Sequence, residues 1–74
     1  MTLTLYSLKD EHNGYAAPIP FANDEIARRW FKEMKAENIT VKYSPGDFSI
    51  WKIGEFDSET GRFTDTKHNL IERG

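Results

Sequence analysis

One segment, Asn23 to Glu37, carries an apolar stripe at helical spacing, and that stripe decides what the rest of the chain must do. On a helical projection Ile26, Ala27, Trp30, Phe31 and Met34 fall within about 140°, wide enough to cover one face of a sheet. A single amphipathic helix has to bury such a stripe against another element. Asn23 is a good N-cap, and Asp24 and Glu25 follow in the first turn, where the helix dipole favours negative charge. Glu25 with Arg29 and Arg29 with Glu33 stand four residues apart with opposite charge. This predicts two ion pairs, each adding a few tenths of a kcal/mol, roughly 0.3, to the helix.

The partner for the stripe reads as a sheet. Thr2 to Leu8 has apolar residues on both faces, Leu3 and Leu5 on one and Tyr6 and Leu8 on the other, which predicts a central strand. Lys9 to Gly14, ending in Asn13-Gly14, predicts a turn. Tyr15 to Phe21 runs extended, but Pro18 and Pro20 lack an amide proton on the same side. That fits an edge strand with its donor-free side outward. Tyr43-Ser44-Pro45-Gly46-Asp47 is dense in turn formers and predicts a chain reversal. Phe48 to Phe56 is the strongest strand signal, and Asp57 to Gly61 followed by Arg62 to Thr64 reads as a hairpin turn with its return strand. Gly61 is expected to supply the positive φ. Gly54 stands inside the best strand, where a glycine predicts a bulge or a close approach by another backbone. The tail, Thr66 to Gly74, contains Leu70 and Ile71, enough for a short strand, and is expected to be less ordered than the rest. With no repeat or linker, the chain reads as one α+β domain over residues 1–74. Its order is β-β-α-β-β, a small antiparallel sheet with one amphipathic helix packed on it.

Seventy-four residues leave little core to work with, since a chain this short hides only about 60 to 65% of its unfolded surface. Cysteine is absent, so neither a disulfide framework nor a thiolate zinc site is possible. Ten aromatic residues are the natural substitute. Most of Trp30, Phe31, Trp51, Phe56 and Phe63 are therefore expected in the core. No stretch approaches the roughly 20 apolar residues needed to span a bilayer, and no signal-peptide pattern opens the chain. A soluble intracellular protein without membrane contact is expected.

Catalytic chemistry has little to stand on. His12 and His68 fall in a loop and in the tail, with no nucleophile motif around them. Asp10, Glu11 and Asp65 nearby lack the helical spacing or Cys partners that make a metal signal specific. Glu55, Asp57 and Glu59 surround a turn, where acidic side chains cap backbone amides more often than they move protons. The expectation is a protein that is not an enzyme, with no metal and no cofactor.

The formal net charge is -2, so no whole-molecule basic field exists. Charge is uneven all the same: residues 26 to 42 hold Arg28, Arg29, Lys32, Lys35 and Lys42 against Glu33 and Glu37, a local excess of three. Arg28, Lys32 and Lys35 lie together beside the Phe31 edge of the apolar stripe. Single strands of nucleic acid are held by cations that track phosphates and by rings that stack on bases. The candidate nucleic-acid-binding residues are thus Arg28, Arg29, Lys32 and Lys35 on the helix, with Lys52 and Arg62 extending the surface from strands. A solvated helix face of no further function is the simpler alternative.

Several segments, read in order, resemble the small non-structural protein family of the gokushovirus branch of the microviruses. They are Leu5-Tyr6-Ser7 with Asp10, Gly14-Tyr15, Pro20-Phe21, then Asp24 with Ala27-Arg28 and Phe31. They continue through Tyr43, Pro45 and Asp47-Phe48 to Trp51, Ile53-Gly54-Glu55-Phe56-Asp57, Glu59-Thr60-Gly61 and Phe63. The Gly-Glu-Phe-Asp and Glu-Thr-Gly stretches are the most specific, and Ser44-Pro45-Gly46 departs from the pattern. The resemblance implies a phage protein made in the cytoplasm of the infected bacterial host, absent from the capsid shell and usually described as DNA-binding. It further implies a role in the switch from duplex replication to single-strand genome synthesis and packaging. Two functions follow as expectations. One is a single-stranded DNA-binding homodimer whose two basic helix faces combine. The other is an interaction factor that engages a host replication protein or phage assembly component through an aromatic patch or sheet edge.

Overall fold

The computed structural model describes residues 1–74. Its centre is the antiparallel pair of β1 (Thr2–Asp10) and β4 (Phe48–Asp57), in register from Thr2 opposite Asp57 to Asp10 opposite Phe48. The free side of β1 carries β2 (Gly14–Tyr15) and β3 (Ile19–Phe21), and the free side of β4 carries β5 (Arg62–Asp65) and β6 (Asn69–Arg73). Across one face lies α1 (Asp24–Glu37). The α+β class, the central first strand and the helix bounds are as the sequence predicts.

The element count differs from β-β-α-β-β in three places, each for a local reason. Ala16, Ala17 and Pro18 interrupt the extended run, so it pairs with β1 as two short strands; Pro20 sits in β3, an edge strand. The tail forms a strand, because its backbone pairs with the edge of β4 that β5 leaves open. A second short helix, α2 (Ile39–Tyr43), precedes a 3-10 turn at Pro45–Asp47. Asn38 makes that possible. Its amide donates to the Met34 carbonyl at 2.9 Å, closing α1, while its side-chain oxygen accepts from the Thr40 and Val41 amides at 3.1 and 3.3 Å, opening α2. The β-branched run Ile39-Thr40-Val41 has poor helix propensity, and Val41 is held helical by burial in the core.

The core lies between α1 and the sheet: Tyr6, Ala27, Phe31, Val41, Phe48 and Ile50 are buried, with Leu8, Phe21, Trp30, Met34 and Ile71 packed around them. Asn23 caps α1 as expected, its side chain accepting from the Ile26 amide at 2.9 Å. Gly54 combines both roles anticipated for it. The pairing slips by one residue between Leu5 and Tyr6, leaving Ile53 as the extra residue of β4, and a Cβ on Gly54 would lie 2.6 Å from the Asp65 carbonyl oxygen. Gly14 and Gly61 take positive φ, 87° and 73°, at the two turns. Asp57 caps the second turn, accepting from the Glu59 amide at 2.9 Å.

One expectation fails. Of Trp30, Phe31, Trp51, Phe56 and Phe63, only Phe31 is buried, and Phe63 is 61% exposed. A single helix covers only one face of the sheet, so rings whose strand parity points the other way have nothing to be buried against. No helix is long and apolar enough to cross a membrane.

Candidate nucleic-acid interface

The helix delivers its cations unevenly. Arg28, Arg29 and Lys32 are exposed and have no carboxylate within ion-pair distance. The expected Glu25–Arg29 and Arg29–Glu33 pairs do not form, since long exposed side chains gain little by holding one geometry. Lys35 is differently placed. Its Nζ lies 5.0 Å from the centre of the Phe31 ring and 4.0 Å from Glu72 on β6, so this cation is partly spent inside the fold.

Lys52 and Arg62 stand apart from each other along β4. Lys52 stands opposite Tyr6 on the helix side of the sheet and lines a cleft of about 480 Å³ with Thr4, Asn23, Asp24 and Glu25. Asp24 and Glu25 share that cleft, and neither lies within ion-pair distance of Lys52. Arg62, exposed, stands opposite Asp57 at the hairpin tip, five residues along β4 from Lys52, or roughly 16 Å at strand rise. The same cleft holds a hydrogen bond from the Tyr6 hydroxyl to Asp24 Oδ1 at 2.5 Å. Burial, then the bond to Asp24 and its charge, push the Tyr6 phenol well above the ordinary tyrosine range, against a smaller opposing effect of Arg28.

The face of the sheet away from the helix holds an arrangement that helix-centred reasoning did not reach. Residues directly opposite each other in antiparallel pairs share a face. Tyr15 opposes Lys9, Lys9 opposes Ser49, and Ser49 opposes Arg73, so one row crosses four strands. The next row is Ser7, Trp51 and Leu70. Tyr15 meets Trp51 edge-on at 6.3 Å between centroids and His68 at 5.5 Å. Lys9 Nζ sits 5.5 and 5.6 Å from the Tyr15 and Trp51 ring centres. Two hydrogen bonds fix the platform: Trp51 Nε1–H donates to Ser49 Oγ at 2.8 Å, and Ser7 Oγ donates to the Ala16 carbonyl at 2.6 Å. Beyond it the same face turns apolar, with Leu3, Phe56 and Phe63 in a row and the two Phe rings 5.5 Å apart. Strand parity already sets Lys9 on the Leu3 and Leu5 side; the place of Arg73 depends on a register slip in the β4–β6 pair that no sequence pattern announces.

His12 is exposed and lies 3.4 Å from Asp47, an isolated surface contact. No group of three or more His, Cys, Asp or Glu side chains has the geometry to hold a metal ion.

The family model described as Phage ORF5 protein matches residues 3–74. Protein ORF5 of Chlamydia phage 1 is 34% identical over 64 residues, which cover 81% of this chain and 66% of that protein's length. No solved structure matches the chain.

Proposed function

The chain belongs to the phage ORF5 protein family, and on that premise we propose that it is a non-structural protein that binds single-stranded DNA. In this reading it works in the cytoplasm of an infected bacterium, at the turn from duplex replication to synthesis and packaging of single-stranded genomes. It does so as a homodimer, without a catalytic step, metal or cofactor. The observation that carries the reading is the set of three exposed helix cations, Arg28, Arg29 and Lys32, left without carboxylate partners in a chain whose net charge is -2. Three cations that each neutralise a phosphate contribute about -2 to the salt slope, log K against log salt, for a single strand.

The test is anisotropy of a labelled oligonucleotide at several salt concentrations, with the parent and with Arg28, Arg29 and Lys32 all replaced by Glu. Binding by the parent with a slope at least that steep, weakened in the triple variant, supports the proposal. A parent that shows no salt-sensitive binding refutes it. A second reading, docking to a phage assembly or host replication protein, is favoured by the exposed Phe63 ring beside Phe56 and Leu3. It predicts that a specific partner co-purifies with the parent and not with Phe63→Ser.

A further inference from the structure

We infer that the bases of a single strand are gripped on the open face of the sheet, by Tyr15 and Trp51 with Lys9 and Arg73 at their side, and not on the helix. This rests on the proposed single-strand binding and names a site for it. The helix and this face lie on opposite sides of the sheet, so the two contacts are separable.

Three features make the face suited to a base and its phosphate. Tyr15 is 44% exposed and Trp51 half-buried, and the bond from the indole to Ser49 holds the ring in place before any ligand arrives. Stacking on such pre-set rings is tolerant of sequence, because every base has a π-face. Charge complements the polyanion: Lys9 and Arg73 flank the buried Ser49 in the same row, and Arg73 has no ion-pair partner. Lys9 does have one, Glu11 at 3.9 Å, with that carboxylate side chain about half exposed. A surface pair of that length contributes little and gives way to a phosphate at small cost. Finally, duplex DNA keeps its bases stacked inside, so a pair of accessible aromatic rings selects single strands. A second copy of the chain is the competing occupant. The row of cations disfavours it, since two-fold stacking of this face on itself brings Lys9 and Arg73 of both copies into one buried layer.

The two tryptophans stand on opposite sides of the sheet, Trp30 packed at the core and Trp51 on the open face, so each can be read alone. Trp30→Phe and Trp51→Phe proteins are titrated with an oligothymidylate of about ten nucleotides, an ordinary single-strand site length. The same titration is repeated with Tyr15→Ala, with Arg73→Ala and with the helix triple variant. Thermal melts confirm that each variant folds. Expected are quenching in the Trp30→Phe protein only, a loss of affinity of roughly tenfold or more in Tyr15→Ala, and a salt slope smaller by about 0.7 in Arg73→Ala. Full binding by Tyr15→Ala together with loss in the triple variant overturns the inference and leaves single-strand binding standing. No binding by the parent removes both. Dissociation of a parent dimer by Tyr15→Ala, with DNA affinity unchanged, assigns the face to self-association and likewise overturns it.

Discussion

Replacing Gly54 by alanine tests the tightest backbone contact inside the sheet. The added Cβ would stand 2.6 Å from the Asp65 carbonyl oxygen, where ordinary contact begins at 3.4 Å, so β5 or β4 must give by about 0.8 Å. Neither gives easily. Gly54 is buried, β4 is hydrogen-bonded to β1 on its other side, and the obstacle is backbone, not the end of a flexible side chain. Overpacking of this kind costs about 1 to 3 kcal/mol. With an unfolding entropy of about 2.1 cal/mol/K per residue, a chain of 74 residues loses about 6 °C in Tm per kcal/mol. The expected drop for Gly54→Ala is therefore about 13 °C at a cost of about 2 kcal/mol, read by circular dichroism. Gly46→Ala is the control. Its Cβ meets nothing within 4 Å and its φ is not positive, so it should hold or slightly raise Tm. A Gly54→Ala protein that melts with the Gly46→Ala control refutes the contact.

Other perturbations probe single links. Asn23→Ala removes the oxygen that accepts the Ile26 amide and should cost about 1 kcal/mol, or about 6 °C by the same conversion. Tyr6→Phe deletes the bond to Asp24, a charge-assisted one, at about 1.5 kcal/mol. Because the folded protein raises the Tyr6 phenol above its unfolded value of about 10, its stabilisation is complete below that pH and is lost as pH climbs beyond it. Urea midpoints should thus fall between pH 9 and 11 in the parent, more than in Tyr6→Phe. Asp57 behaves in the opposite sense. The Glu59 amide, followed by that of Thr60, holds its carboxyl below the ordinary range, so its contribution is present above about pH 4 and disappears as pH falls through the folded value. Asp57→Asn should flatten the acid limb of a stability profile measured from pH 6 to 2.

The legible parts of this fold are those that depend on neighbours in sequence. The cap at Asn23, the stripe from Ile26 to Met34, the turns at Asn13-Gly14 and Gly61, and the break in the ladder at Gly54 are all local signals. Asn38 was not legible as a joint between two helices, because its double role needs Met34 and Val41 already in helical geometry. β6 was legible only as a short strand around Leu70 and Ile71; its place comes from the free edge of β4 far away in sequence. The site divided along the same line. Helical spacing was enough to group Arg28, Lys32 and Lys35, but not to show Glu72 arriving beside Lys35 from the tail. The Tyr15, Lys9 and Arg73 row needs three strand registers, one of them slipped, and cross-strand register is set by long-range packing.

β4 touches β1 at one edge and both β5 and β6 at the other, so a segment that follows residues 1–47 is the one on which three other strands line up. On a ribosome, then, residues 1–47 emerge ahead of it without that partner: a short β1–β3 ladder and a helix whose oily stripe faces water. Pairings between distant segments form slowly and only once loop closure is possible. Folding therefore waits for β4, and a chain cut short before Phe48 lacks the strand with which β1, β5 and β6 pair.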